Sequence, residues 1–79
     1  MGFVPAEAMH YDLTDLRLFL NVGETENITR AAERSFLSLP AASARIKQLE
    51  EAFQTQLLIR QVKGVRLTPA GDALLRHAR

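Results

Sequence analysis

Two helices marked by apolar patterns in this chain are joined by about three residues, and that closeness limits the fold more than any other feature. The first pattern is Ile28, Ala31, Ala32 and Ser35. The second is Ala42, Ile46, Leu49 and Phe53, at steps of four, three and four. The connection between the two helices that carry them is only about three residues, Phe36 to Ser38. Helices joined by so short a connection meet at a steep angle. Alanine at 31 and 32 lets the neighbouring backbone approach closely. Asn27 suits the N-cap of the first helix and Ser38 that of the second, where Pro40 is tolerated in the first turn because its missing N–H has no helical partner there. Phe36 and Leu37 are expected to end the first helix and turn inward. Glu50 and Glu51 are expected to be solvated near the end of the second.

The flanking segments complete the order helix, helix, helix, hairpin, helix. Leu13, Leu16, Phe19 and Leu20 recur at helical steps, with Asp12 and Asp15 near the start, where the helix dipole favours acids. Gly23 weakens the far end, and the helix is expected to stop by Glu26. Leu57, Ile59 and Gln61, then Val65 and Leu67, alternate as two short strands, with Val62-Lys63-Gly64 at the turn. Thr68 caps a last helix that Pro69 opens, with Ala70, Ala73, Leu74 and Ala78 on its apolar face. The expected fold is mostly α, with residues 12–68 as the folded unit, 69–79 as the start of a further helix and 1–11 as a loose lead-in. Met9 is an alternative natural start.

The 79 residues make one domain. With no cysteine there is no disulfide and no Cys-ligated zinc or iron–sulfur site, and His10 and His77 lie too far apart in sequence to suggest a metal. No cofactor is expected. The apolar runs are too short to span a membrane, and the start lacks a basic, then apolar, secretory signal. The missing signal, together with the absence of cysteine, leans toward the cytoplasm. Catalysis has little support, since there is no cysteine nucleophile, Gly-rich phosphate loop or HExxH, and Glu50 and Glu51 point about 100° apart on a helix.

The net charge of +1 hides an asymmetry. Residues 1–27 hold one cation, Arg17, against five acids, whereas residues 28–79 hold nine cations against four acids. Such a split suggests an anionic partner. The outward face of the helix after Ser38 carries Pro40, Ser43, Ala44 and Lys47, small enough for its backbone to approach a groove floor. An α-helix fits the major groove of B-DNA and leads with its amino-terminal turns. The hairpin then forms a wing. Arg30 and Arg34, Arg45 and Lys47, and Arg60, Lys63 and Arg66 can each displace counterions from phosphate. Arg45 is the weakest of these, because it sits beside the buried stripe.

The ordered stretches Ile28-Thr29-Arg30-Ala31-Ala32-Glu33-Arg34-Ser35, Ser38-Leu39-Pro40-Ala41-Ala42-Ser43, Ile46-Lys47-Gln48-Leu49-Glu50 and Val65-Arg66-Leu67-Thr68-Pro69-Ala70-Gly71 resemble the amino-terminal DNA-binding region of LysR-type transcriptional regulators. The resemblance runs from about Asp12 to Arg79. It implies a winged helix-turn-helix, a linker helix that pairs two subunits into a homo-oligomer, and a much larger effector-binding domain outside this chain, which would make the chain an excised or truncated part. The implied partner is double-stranded DNA, with Ser38, Leu39, Pro40, Ser43, Ala44 and Lys47 nearest the bases and Arg30, Arg60, Lys63 and Arg66 on phosphates. Four positions depart from the family pattern. Leu39 stands for a common glutamine, Ala44 for a common arginine, and Gln54 and Glu26 for common glycines. Leucine cannot bond adenine bidentately and alanine cannot bond guanine, though either can touch a thymine methyl. Phosphate contacts and DNA shape then carry more of the specificity. The competing reading is a winged-helix module that binds protein, which the apolar Leu39 and Ala44 favour.

Overall fold

A computed structural model describes residues 13–78, with side chains to residue 77. The expected lead-in and Asp12 lie outside the described residues. Helices α1 (Leu13–Thr25), α2 (Ile28–Arg34) and α3 (Leu39–Phe53) are followed by β1 (Leu58–Gln61), β2 (Gly64–Leu67) and α4 (Pro69–Ala78). This is the order of a winged helix-turn-helix. The core draws Leu18, Phe19 and Val22 from α1, Ile28, Ala31 and Ala32 from α2, and Ala42, Ile46 and Leu49 from α3. Leu57, Leu58, Val65 and Leu75 close it from the hairpin side.

Capping follows the expected residues. The Arg30 N–H donates to Asn27 Oδ1 at 2.9 Å, and the Ala41 N–H donates to Ser38 Oγ at 3.2 Å. Thr68 Oγ1 accepts from the Gly71 N–H at 3.0 Å and donates to the Gln56 carbonyl at 2.7 Å. These bonds satisfy helix N–H groups that have no partner inside the helix.

The faces of several elements differ from the sequence expectation. In α1 the buried positions are Asp15, Leu18, Phe19 and Val22, while Leu13 is exposed. The helical period was right and its phase was displaced, because a buried aspartate marks the inner face. In β1, Leu58 is buried and Ile59 exposed, since Leu57 precedes the strand and enters the core on its own account. Phe53, the last residue of the helix, does not complete the α3 stripe and is exposed. In α4 the residue that enters the core is Leu75, with Ala70 and Leu74 only partly buried. Phe36 is the plainest correction. Its side chain is 95% exposed, not inward, and only Leu37 packs on the core.

The reason lies in the helix exits. Glu26, Phe36 and Gln54 take φ of 54°, 59° and 54°, the left-handed region that glycine usually supplies. After α2, the Leu37 N–H reaches back to the Ala32 carbonyl at 2.9 Å and the Phe36 N–H to Glu33 at 3.1 Å. After α3, the Thr55 N–H bonds the Glu50 carbonyl and the Gln54 N–H that of Glu51, both at 3.1 Å. Each is the double bond of a Schellman exit, which reverses the chain and leaves the left-handed side chain pointing at solvent.

The hairpin pairs Leu58 with Leu67, Ile59 with Arg66, Arg60 with Val65 and Gln61 with Gly64. Gly64 completes the reversal at φ 94°, and a Cβ there would run into the Glu26 carbonyl oxygen. That same oxygen accepts the Val65 N–H at 3.0 Å, tying the wing to the corner between α1 and α2.

Glu50 is not merely solvated. Its Oε2 accepts from the Leu57 N–H at 2.9 Å and the Leu58 N–H at 3.2 Å, fixing the start of the hairpin to α3. Hydrogen bonds to an ionised group each contribute about 1.5–3 kcal/mol. Glu50→Ala should therefore lower the thermal midpoint by about 12 °C or more, at about 4–8 °C per kcal/mol in a domain this small. Circular dichroism melting checks this, and an unchanged midpoint would return Glu50 to the solvated role.

Candidate nucleic-acid interface

The amino-terminal half of α3 is held outward from two sides. Ala42, Ile46 and Leu49 anchor its inner face in the core. Arg45 Nη1 meets Asp15 Oδ1 at 2.8 Å, where the Asp15 side chain is 5% exposed and that of Arg45 36%. This pair locks α3 to α1 and explains why Arg45 is not available as an outward cation. With these positions committed inward, Pro40, Ala44 and Lys47 follow one exposed line along the helix, and Ser38 and Leu39 are exposed at its start.

The hairpin comes up beside this end of α3. Leu39 and Ser43 share a cleft of about 280 Å³ with Asn27, Ile28 and Thr29 of the α2 end and Arg60, Gly64 and Val65 of the wing. Arg60 also borders a groove with Ile46, Glu50, Gln56 and Leu58, and a shallow surface at the wing tip with Gln61, Val62 and Lys63. One arginine therefore spans the space from α3 to the wing tip. Lys63 is exposed there, next to a fully exposed Val62.

Strand pairing sorts the hairpin cations. Residues paired across an antiparallel ladder lie on the same face, and successive residues on opposite faces. Arg60 and Val65 thus share the face toward the cleft, whereas Arg66 and Ile59 occupy the other. Arg66 is exposed but is not brought to the cleft. Arg30 is exposed on α2, one residue beyond Thr29. Arg34 is engaged with Glu24 at 2.9 Å, an exposed pair that contributes little to stability but competes for its guanidinium.

Sequence reasoning missed Thr29. It is exposed in the first turn of α2 and lines the cleft. Its place two residues after the Asn27 cap was the available signal. Among the described residues no group of three or more histidines, cysteines or acids could hold a metal, and no helix is long and apolar enough to cross a membrane.

The architecture is a winged helix-turn-helix with a small-faced third helix beside a basic hairpin. Residues 13–72 match the family described as bacterial regulatory helix-turn-helix protein, lysR family. The HTH-type transcriptional regulator CysL of Bacillus subtilis (strain 168) is 45% identical over 71 residues, covering 90% of this chain and 23% of CysL. Among solved structures, the CbnR_DBD–DNA complex aligns with a TM-score of 0.82 at 35% identity, over 86% of this chain and 78% of that one. The BenM_DBD/catB site 1 DNA complex aligns at 0.80 with 36% identity, over 85% and 74%. The chain belongs to the LysR family of bacterial regulatory helix-turn-helix proteins. It spans about a quarter of the length of CysL.

The assignment of Arg45 to the frame has a measurable consequence. Arg45→Ala leaves the buried Asp15 carboxylate without its guanidinium, a loss of about 1–3 kcal/mol. Chemical denaturation should show that loss as a lower midpoint. Equal stability of the variant and the parent chain would show that the pair does not hold α3.

Proposed function

We propose that this chain is a sequence-specific DNA-binding domain of a LysR-type transcriptional regulator. The helix α3 lies in a major groove and the hairpin rests on the phosphate backbone. The observation that carries this reading is the shared cleft, in which Leu39 and Ser43 of α3 face Arg60 of the wing. A surface that joins a thin helix to a basic ribbon fits a groove bordered by phosphates. The similarity to two structures described as DNA complexes supports it.

In this reading Ser38, Leu39, Pro40, Ser43, Ala44 and Lys47 stand nearest the base edges. Arg30, Arg60 and Lys63 hold phosphates, and Arg66 reaches one only from the outer face of the wing. Residues 12–68 form the DNA-binding unit, and residues from 69 begin a helix that pairs two subunits. A two-fold dimer would then set two α3 helices in successive major grooves. The remaining length of the relatives leaves room for a domain that senses a small effector. The protein acts in the cytoplasm, where bacterial DNA lies, and performs no catalysis.

Binding to duplex DNA measured across a range of salt concentrations tests the proposal. Each phosphate neutralised contributes about −0.9 to the slope of log affinity against log salt. Lys63→Ala should weaken binding to all sequences alike and flatten that slope by about one unit. Unchanged affinity and slope would remove Lys63 from the phosphate contacts. Absence of salt-dependent duplex binding by the parent chain would favour a protein-binding module instead.

A further inference from the structure

The segment that opens α3, from its cap Ser38 to Ala44, lacks every side chain that reads a base by paired hydrogen bonds. From Ser38 to Ala44 the residues are Ser, Leu, Pro, Ala, Ala, Ser and Ala, with no arginine, lysine, asparagine, glutamine or histidine. Arg45, next along, faces Asp15. Of the two hydroxyls, that of Ser38 already accepts the Ala41 N–H as the helix cap, and Ser43 is half-buried at the cleft. Ala42 is fully buried. What the helix offers outward is therefore carbon: the Leu39 side chain, 45% exposed on the cleft wall, the exposed Pro40 ring and the exposed Ala44 methyl.

One feature of the major groove answers an apolar surface, the C5-methyl of thymine. Resting on the DNA-binding reading above, we infer that Leu39 and Ala44 are specificity-determining residues that select duplexes presenting thymine methyls to the amino-terminal turns of α3. The flanking cations supply affinity without regard to sequence, through Arg30, Arg60 and Lys63. The base preference is then a preference for a methyl group rather than for a hydrogen-bonding pattern. Exclusion works in the same direction. A guanine or cytosine edge set against Leu39 loses water from its O6 or N4 group and gains no partner, which is unfavourable.

The inference separates thymine from uracil, which share every hydrogen-bonding group and differ only in that methyl. A duplex enriched from random sequence by the 79-residue chain is remade with deoxyuridine replacing thymidine one position at a time. Affinity is measured at fixed salt for the parent chain, Leu39→Ala and Ala44→Gly. At one or two positions per half-site the replacement should weaken binding about threefold to fivefold, the effect of one buried methyl. Leu39→Ala should abolish the effect at its own position, and Leu39→Gln should redirect preference there toward adenine. Circular dichroism confirms that these exposed-site variants remain folded. Salt-dependent binding that ignores every uracil replacement overturns the inference and leaves the DNA-binding reading standing. A uracil effect retained in full by both Leu39→Ala and Ala44→Gly assigns it to DNA stiffness and also overturns the inference. No salt-dependent binding to any duplex overturns the DNA-binding reading, and this inference with it.

Discussion

The close approach of α2 to α3 is the constraint on which the outward surface depends. Ala31 and Ala42 are completely buried and Ala32 nearly so, with four residues, Ser35 to Ser38, joining the two helices. Larger side chains would hold the helices apart, and overpacking a tight core costs about 1–3 kcal/mol. More important for function, separation would move Ser38 and Leu39 away from Thr29 and the cleft. The alanines are therefore quiet determinants of where the first turn of α3 is presented, although none of them is on the surface.

A second set of ties sets the wing against this corner. The Glu26 carbonyl holds the Val65 N–H, the Glu50 carboxylate holds two N–H groups where β1 begins, and the Leu57 carbonyl accepts the Thr68 N–H at 3.0 Å. A two-stranded ribbon alone is marginal in water. Here its position is set by hydrogen bonds to α3 and to the α1–α2 corner, together with burial of Leu58 and Val65. Arg60 can span from the groove beside α3 to the wing tip because its strand is fixed at both ends.

Element order and helix starts were legible in the sequence because they depend on local chemistry. Asn27, Ser38 and Thr68 each cap by bonding within three residues of themselves, and the α3 stripe at Ala42, Ile46 and Leu49 is a matter of spacing. What was not legible depended on partners far along the chain. Nothing near Asp15 signals that Arg45, thirty residues on, will make an aspartate the inner face of α1. Nothing near Glu50 signals that its carboxylate will cap a strand. Phe36 misled for a different reason. Its hydrophobicity argued for the core, but the backbone reversal that follows α2 requires a left-handed residue, and that geometry turns its side chain outward. The family resemblance pointed to Glu26 and Gln54 as replacements for glycine, and both adopt the left-handed conformation despite their Cβ atoms. For the candidate interface, spacing brought Ser38, Pro40, Ala44 and Lys47 to one exposed surface, but only strand register separated Arg60 from Arg66.

The departures from the family pattern divide into two kinds with different physical outcomes. At Glu26 and Gln54 the backbone is kept and the side chain changed, so the fold absorbs local strain and the architecture stays intact. At Leu39 and Ala44 the backbone is again kept, but the exposed chemistry is replaced. The cap at Ser38 still forms, the cleft still closes against Arg60, and the cations still flank it. Positioning and recognition are therefore separable in this domain. The frame that presents α3 is built from alanines, the Asp15–Arg45 pair and the wing ties, none of which involves the exposed side chains of Leu39 or Ala44. If Leu39 and Ala44 read the duplex as proposed, a substitution at either can alter what is read without disturbing how the helix is held, which is the physical condition for one scaffold to serve different sequences.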